Sequence, residues 1–193
     1  MTIELWVELN VKDKNGKVKY SSGKQPSHSF VKQFLHVLAA MMQQSTTYSV
    51  KDTSNTSRTL PYASAYSTYT VFALQSSPQS QAYGLVVGSG TGAEDNTNYA
   101  LGTLITTLSY QGHSITAPAV VGSNVDMVLA RPFYNGTAGT ITINEVGIYI
   151  KTLDSTPIER YFCIARDKLG SGVDVDPADT ATLQYTLRTN VGV

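Results

Sequence analysis

The feature that most constrains this chain is a series of short apolar runs in its second half, closed by turn residues and never alternating with a helical pattern. Residues 84–88, 104–110, 124–133, 140–150, 161–166 and 180–189 read as strands, separated by Gly, Pro, Asn and Asp. Strands in this rhythm argue against a parallel α/β sheet, whose crossovers need helices. They predict a mainly β fold, an antiparallel β-sandwich or jelly-roll-like arrangement.

The N-terminus adds a hairpin. Ile3, Leu5, Val7 and Leu9 alternate with Glu4, Trp6, Glu8 and Asn10, the period of a half-buried strand. Asn15-Gly16 predicts a type I′ turn, and Lys17-Val18-Lys19-Tyr20 returns. Residues 1–24 are expected to form an arm, so their deletion should leave a foldable, assembly-deficient core. One helix is expected over residues 29–44, with Ser27 or Ser29 as its N-cap. Phe30, Phe34, Val37, Leu38 and Met41 recur at helical spacing. Its outer face offers only Lys32, Gln33, His36, Gln43 and Gln44, so cover on more than one side is expected. Residues 45–81 are Ser-, Thr- and Tyr-rich, with a loop at 52–57 and a strand expected over 66–73; they are a second candidate arm. No internal repeat emerges, and 193 residues fit a single β-rich domain, 1–193.

Composition narrows the function classes. Charged residues make up 15% of the chain, against roughly 25% in typical soluble domains. Ser, Thr, Gly, Asn and twelve tyrosines fill the difference. Such a surface costs little to desolvate and suits a protein that meets neighbours. Fourteen basic residues balance fourteen acidic ones, which argues against a direct nucleic-acid partner. No apolar run spans a membrane, and Met1-Thr2-Ile3-Glu4-Leu5-Trp6 lacks the signature of a signal peptide, so synthesis in a cytoplasm is expected. Cys163, the single cysteine, sits in an apolar run and reads as a small core residue.

Several motifs invite a chemical reading. Gly88-Ser89-Gly90-Thr91-Gly92-Ala93 satisfies G-x-G-x-x-[GA] after a strand, but Glu94 and Asp95 follow where a phosphate would sit and no helix opens. A glycine loop between strands is expected there, with no cofactor. His28, His36 and His113 lack metal-ligand spacing. Asp174, Asp176 and Asp179 lack the calcium-loop order, and Asp176-Pro177 reads as a turn. No metal and no catalytic residue is therefore assigned, and no enzyme is expected.

Glu145 is the one charge that sits oddly. In residues 141–150 the apolar phase runs through Ile143, then through Val146, Ile148 and Ile150, which suggests a β-bulge near Gly147. Glu145 would then point inward or into a contact, and its burial needs a partner. Arg131, Arg166 and Arg58 are the candidates for a structural ion pair.

Three groups of segments carry a likeness. The first is Ser29-Phe30-Val31-Lys32-Gln33-Phe34 with Asp52-Thr53 and Ser57-Arg58-Thr59-Leu60. The second is Gly84-Leu85-Val86-Val87-Gly88-Ser89-Gly90 leading to Asn98-Tyr99-Ala100-Leu101. The third is Ile143-Asn144-Glu145-Val146-Gly147-Ile148-Tyr149, Ile164-Ala165-Arg166-Asp167-Lys168-Leu169, Asp176-Pro177 and Leu183-Gln184-Tyr185-Thr186-Leu187. This resembles uncharacterised structural proteins from virion modules of tailed bacterial and archaeal viruses. The resemblance implies a tail, connector or capsid-associated component, located in the virion. Its partners would be itself, as a homo-oligomer, and other virion proteins. The alternative is a glycan-binding receptor module, in which Tyr62, Tyr66 and Tyr69 stack on sugar rings; the same residues would otherwise serve an interface.

Overall fold

The computed structural model describes residues 2–27, 30–42, 49–60 and 72–190. The chain runs through β1 (Thr2–Lys12), β2 (Val18–Ser21), β3 (Gln25–Pro26) and α1 (Lys32–Met42). The short hairpin β4 (Ser49–Lys51) and β5 (Ser57–Thr59) follows, then β6 (Gly84–Gly88). β7 (Ser109–Tyr110), β8 (Ser114–Ile115) and β9 (Ala119–Val121) lead to four long strands. These are β10 (Asn124–Tyr134), β11 (Ile141–Leu153), β12 (Glu159–Val175) and β13 (Thr180–Asn190).

Two antiparallel sheets pack together as a sandwich. The larger has the order β2-β1-β13-β10-β7, with β3 on β1 and with β8 and β9 on β10; the smaller is β12-β11-β6. Alternation on the first sheet turns one face inward in register, as rows Leu5–Leu187–Met127, Val7–Tyr185–Leu129, Leu9–Leu183–Arg131 and Val11–Ala181–Phe133. The second sheet is covered on both faces. Leu85 and Val87 with Val146, Ile148 and Ile150 occupy one face, and Val86, Gly147 and Tyr149 the other; all are buried. Double burial accounts for the unbroken apolar character of β6.

The apparent phase change at Glu145 has the same origin. Inward and outward alternation runs through β11 unchanged, and both faces happen to be buried. Two irregularities lie on β12: Val173 to Lys168 faces only Ile143 to Glu145, and Ala165 to Cys163 faces only Ile148 to Tyr149. The bulge expected beside Gly147 is present, with its extra residue, Ile164, on the partner strand β12.

The N-terminal hairpin forms, but it is not an arm. β1 pairs with β13 along its whole length and contributes Leu5, Val7, Leu9 and Val11 to the core. Its turn is also not type I′: Gly16 alone takes positive φ, at 82°. The Asp13 carboxylate accepts the N–H groups of Asn15 and Lys17, at 2.8 and 2.9 Å, which holds an ordinary turn ending in a glycine bulge.

That turn recurs. Asp52 accepts the N–H groups of Ser54 and Thr56, and Asp154 those of Thr156 and Ile158. In both, the other carboxylate oxygen takes the Nε–H of the arginine six residues on, Arg58 or Arg160, at 2.7 Å. The two tips then exchange main-chain bonds reciprocally, Thr53 N to Tyr161 O and Ser155 N to Thr59 O. A local repeat, D-x5-R, therefore exists and is related by a pseudo-twofold. Burial alone would raise both carboxyls, yet the hydrogen bonds outweigh it and hold Asp52 and Asp154 below the usual carboxylate range.

Three further expectations change. The helix begins at Lys32 in the described chain, because Val31 N–H bonds Ile164 O on the edge of β12. Ser29, Gln43 and Gln44 lie outside the described residues, and Ser27 lies too far ahead of Lys32 to cap the helix; its hydroxyl donates to Asp167 instead. Residues 104–110 form a strand only at Ser109–Tyr110, because Leu104 and Ile105 serve as a short edge for β6. Of the strand expected over 66–73, only Phe72 and Ala73 are described, and Ala73 bridges Lys151.

Candidate functional site

β11 and β12 place Glu145 and Arg166 on the outer face of the smaller sheet, and the loop of residues 89–103 closes over them. Both side chains are buried, Glu145 completely. Glu145 Oε2 accepts the Arg166 Nε–H at 2.7 Å and Gly102 N–H at 3.1 Å. Oε1 accepts Gly90 N–H and Thr103 N–H, each at 3.0 Å. Arg166 spends its other donors on the loop: Nη1 on Ala93 O and Asn98 Oδ1, and Nη2 on Gly92 O. A buried pair is tolerable only when its remaining hydrogen-bonding capacity is used in this way.

The glycine motif and the odd carboxylate are two halves of one feature. A Cβ on Gly90 would stand 2.3 Å from Glu145 Oε1, and one on Gly88 2.7 Å from the same atom. Close approach, not phosphate, is what these glycines permit. The loop does cradle an anion on backbone N–H groups, as phosphate loops do, but the anion is the chain's own side chain. Gly92 serves differently: its Cβ would lie 3.9 Å from Arg166 Nη2, with room to spare. Glu94 accepts Lys168 N–H and Asp95 accepts Thr97 N–H, so both acids that follow the glycines hold local backbone.

Arg131 is not part of this node, which corrects its assignment as a partner of Glu145. It occupies an inward position of β10 beside Leu183 and is fully buried. Its donors go to five main-chain carbonyls: Gln111, Tyr83, Leu85, Ser77 and Ser80. The guanidinium also lies over the Tyr110 ring, 4.8 Å from its centroid. Burial lowers the Arg131 pKa, and the carbonyl cage with the ring supplies the compensating negative potential. Arg58, the third candidate, pairs with Asp52.

Residues that sequence reasoning missed surround these cations. Gln111, Ser77 and Ser80 act through main-chain oxygen, which has no side-chain signature. Asp167 faces the first sheet, accepting the Ser27 and Tyr185 hydroxyls. Burial, and then the Asp167 charge, push the Tyr185 hydroxyl well above its ordinary pKa. His113 is buried with Nδ1 2.8 Å from Leu74 O, and burial pulls its pKa down to about 4. Cys163 is buried, and burial pushes its thiol far up, away from nucleophilic reactivity.

The remaining sequence candidates are placed as follows. Asp176 and Asp179 both hold Lys19, and Asp174 accepts the Thr142 hydroxyl. Tyr62, Tyr66, Tyr69 and His28 lie outside the described residues. Among the described residues, no three His, Cys, Asp or Glu side chains group as metal ligands, and no helix is long and apolar enough to cross a membrane.

One surface of the described chain is apolar and open. Phe30, Phe34, Leu35 and Leu38 line a groove of about 460 Å³ with Ile3, Val31, Lys32 and Asn96. Ile3 is 59% exposed and Leu35 63%. Ile3 and Phe30 continue into a second depression lined by Glu4, Trp6, Pro26 and Ser27. Comparison of the chain with protein families, curated proteins and solved structures finds no match.

Proposed function

We propose that this chain is a non-enzymatic structural component of a virus particle, made in the host cytoplasm, which self-associates into symmetric homo-oligomers and packs against other particle proteins of the tail, connector or capsid. The virion assignment rests on the sequence resemblance. The observation that carries self-association is the apolar groove between the start of β1 and α1, where two large aliphatic side chains are more than half exposed beside two stacked phenylalanines. Contiguous exposed apolar surface of this kind marks contact sites.

The groove also suits a second copy of the same chain. Ile3 and Phe30 line both the groove and the adjoining depression, so the apolar surface is continuous across them. A twofold axis through the shared pair would set the exposed Ile3 and Leu35 of each copy against the same groove of the other, the self-complementarity an isologous contact requires. Sedimentation equilibrium tests this. The parent protein should associate, and Leu35→Glu should weaken that association. Ile3→Glu should weaken it likewise. A parent that stays monomeric at high concentration would overturn self-association. An oligomer indifferent to both variants would move the contact elsewhere.

A further inference from the structure

The chain contains Asn-Gly twice, and the two copies are held in opposite ways. Asn15-Gly16 forms the tip of the first hairpin. Asn15 is exposed, and none of its described hydrogen bonds involves the side-chain amide; only its main-chain N–H is engaged, by Asp13. Gly16 has no atom within 4 Å of where a Cβ would stand. Its nitrogen is held by one bond, to Asp13 O at 2.9 Å. Asn135-Gly136 is the contrary case. Asn135 is fully buried, and its Nδ2 donates to Gly139 O and Val175 O, at 2.8 and 2.7 Å. Its Oδ1 accepts both the N–H and the hydroxyl of Thr137. Asn55 is protected differently, because the following nitrogen belongs to Thr56 and is bonded to Asp52.

We infer that Asn15 is a site of spontaneous chemical modification, by succinimide formation with Gly16, and that Asn135 is protected by the fold. The Gly16 nitrogen gives its proton to solvent base and attacks Asn15 Cγ. The new N–Cγ bond forms as the Cγ–Nδ2 bond breaks, and ammonia leaves with the proton it needs from water. Water then opens the ring at either carbonyl, giving aspartate or isoaspartate. One water enters and one ammonia departs, with no oxidant or reductant. The reaction needs a nitrogen unshielded by a side chain and an amide free to swing toward it. At residues 15 and 16 only one exposed hydrogen bond must open, by local fraying of the tip.

The product alters the hairpin. Isoaspartate inserts an additional carbon into the main chain between Asn15 N–H and Lys17 N–H, both of which bond the Asp13 carboxylate. It also places a negative charge beside that carboxylate. The modified tip therefore loses the Asx turn that sets the register of β1 on β2.

The test is peptide mass spectrometry of the intact folded protein after incubation in mildly alkaline buffer, with isoaspartate detected by enzymatic methyl-ester labelling. Asn15 should convert, and in the folded protein Asn135 should lag it by more than about 100-fold, given the four hydrogen bonds it must surrender. In urea-unfolded protein the two Asn-Gly pairs should react at similar rates. Asn15→Gln should abolish conversion in the N-terminal peptide without changing the fold. Comparable rates at the two sites in the folded state, or an Asn15 that reacts only after unfolding, would overturn the inference.

Discussion

Glu145→Gln is the sharpest probe of the buried node. The substitution keeps the shape of the side chain and changes only charge and one acceptor. If the amide oxygen takes the Oε1 position, Gly90 and Thr103 N–H stay bonded, but the amide NH2 then faces Gly102 N–H and Arg166 Nε–H. If the amide flips, the first two donors are orphaned instead. Either way two buried donors lose their acceptor, and Arg166 becomes a buried cation without a carboxylate. Removing one member of such a pair costs about 3–5 kcal/mol, which for a chain of this size lowers Tm by on the order of 10 °C. Urea unfolding monitored by circular dichroism gives the stability change, and hydrogen exchange at Gly90, Gly102 and Thr103 reports whether the loop lifts. A double-mutant cycle with Arg166→Met should return a coupling above about 2 kcal/mol. A Glu145→Gln protein within about 1 kcal/mol of the parent, with those amides still protected, would refute the claim that this carboxylate anchors the loop.

Three further outcomes follow from the same geometry. Gly90→Ala should destabilise by about 2 kcal/mol or more, because its Cβ falls on Glu145 Oε1, whereas Gly92→Ala should be close to neutral; equal effects in thermal melts would mean the glycines only confer flexibility. His113 has a folded pKa of about 4 against an unfolded value near 6.5, so the unfolded chain binds the proton first. Stability contributed by neutral His113 is therefore full above about pH 6.5 and lost as pH falls toward 4, by on the order of 1 kcal/mol at pH 5 once solvent screening is allowed for; His113→Gln should flatten that segment of a stability–pH profile. Deleting residues 1–24 should abolish cooperative unfolding, since it removes β1 and the inward residues Leu5, Val7, Leu9 and Val11; a folded truncated protein by circular dichroism would contradict the central place of that strand.

Much of the architecture was legible along the chain because strand alternation and turn chemistry are local. Residues 84–88 are a strand with the boundaries the pattern implied, and β10, β11 and β13 start or end within a few residues of expectation. β12 runs to Val175, well past 166, because its polar second half is paired rather than apolar. The D-x5-R turns were present in the letters, but their spacing becomes a signal only when Asp52 and Asp154 are seen to bond the same backbone positions.

The sequence by itself determined the class of fold, the need of Glu145 for a partner and the choice of arginines from which that partner came. Periodicity reports which side chains share a face, and a carboxylate inside an apolar strand demands compensation. Only the tertiary structure decided that Arg166 pairs with it, that Arg131 is satisfied by carbonyls, and that Gly88 and Gly90 exist to let that carboxylate reach the loop. Those outcomes depend on which strands become neighbours, through contacts of 20 to 75 residues in separation. Such contacts leave no periodic trace, because backbone N–H and C=O groups, available at nearly every position, supply most of the partners.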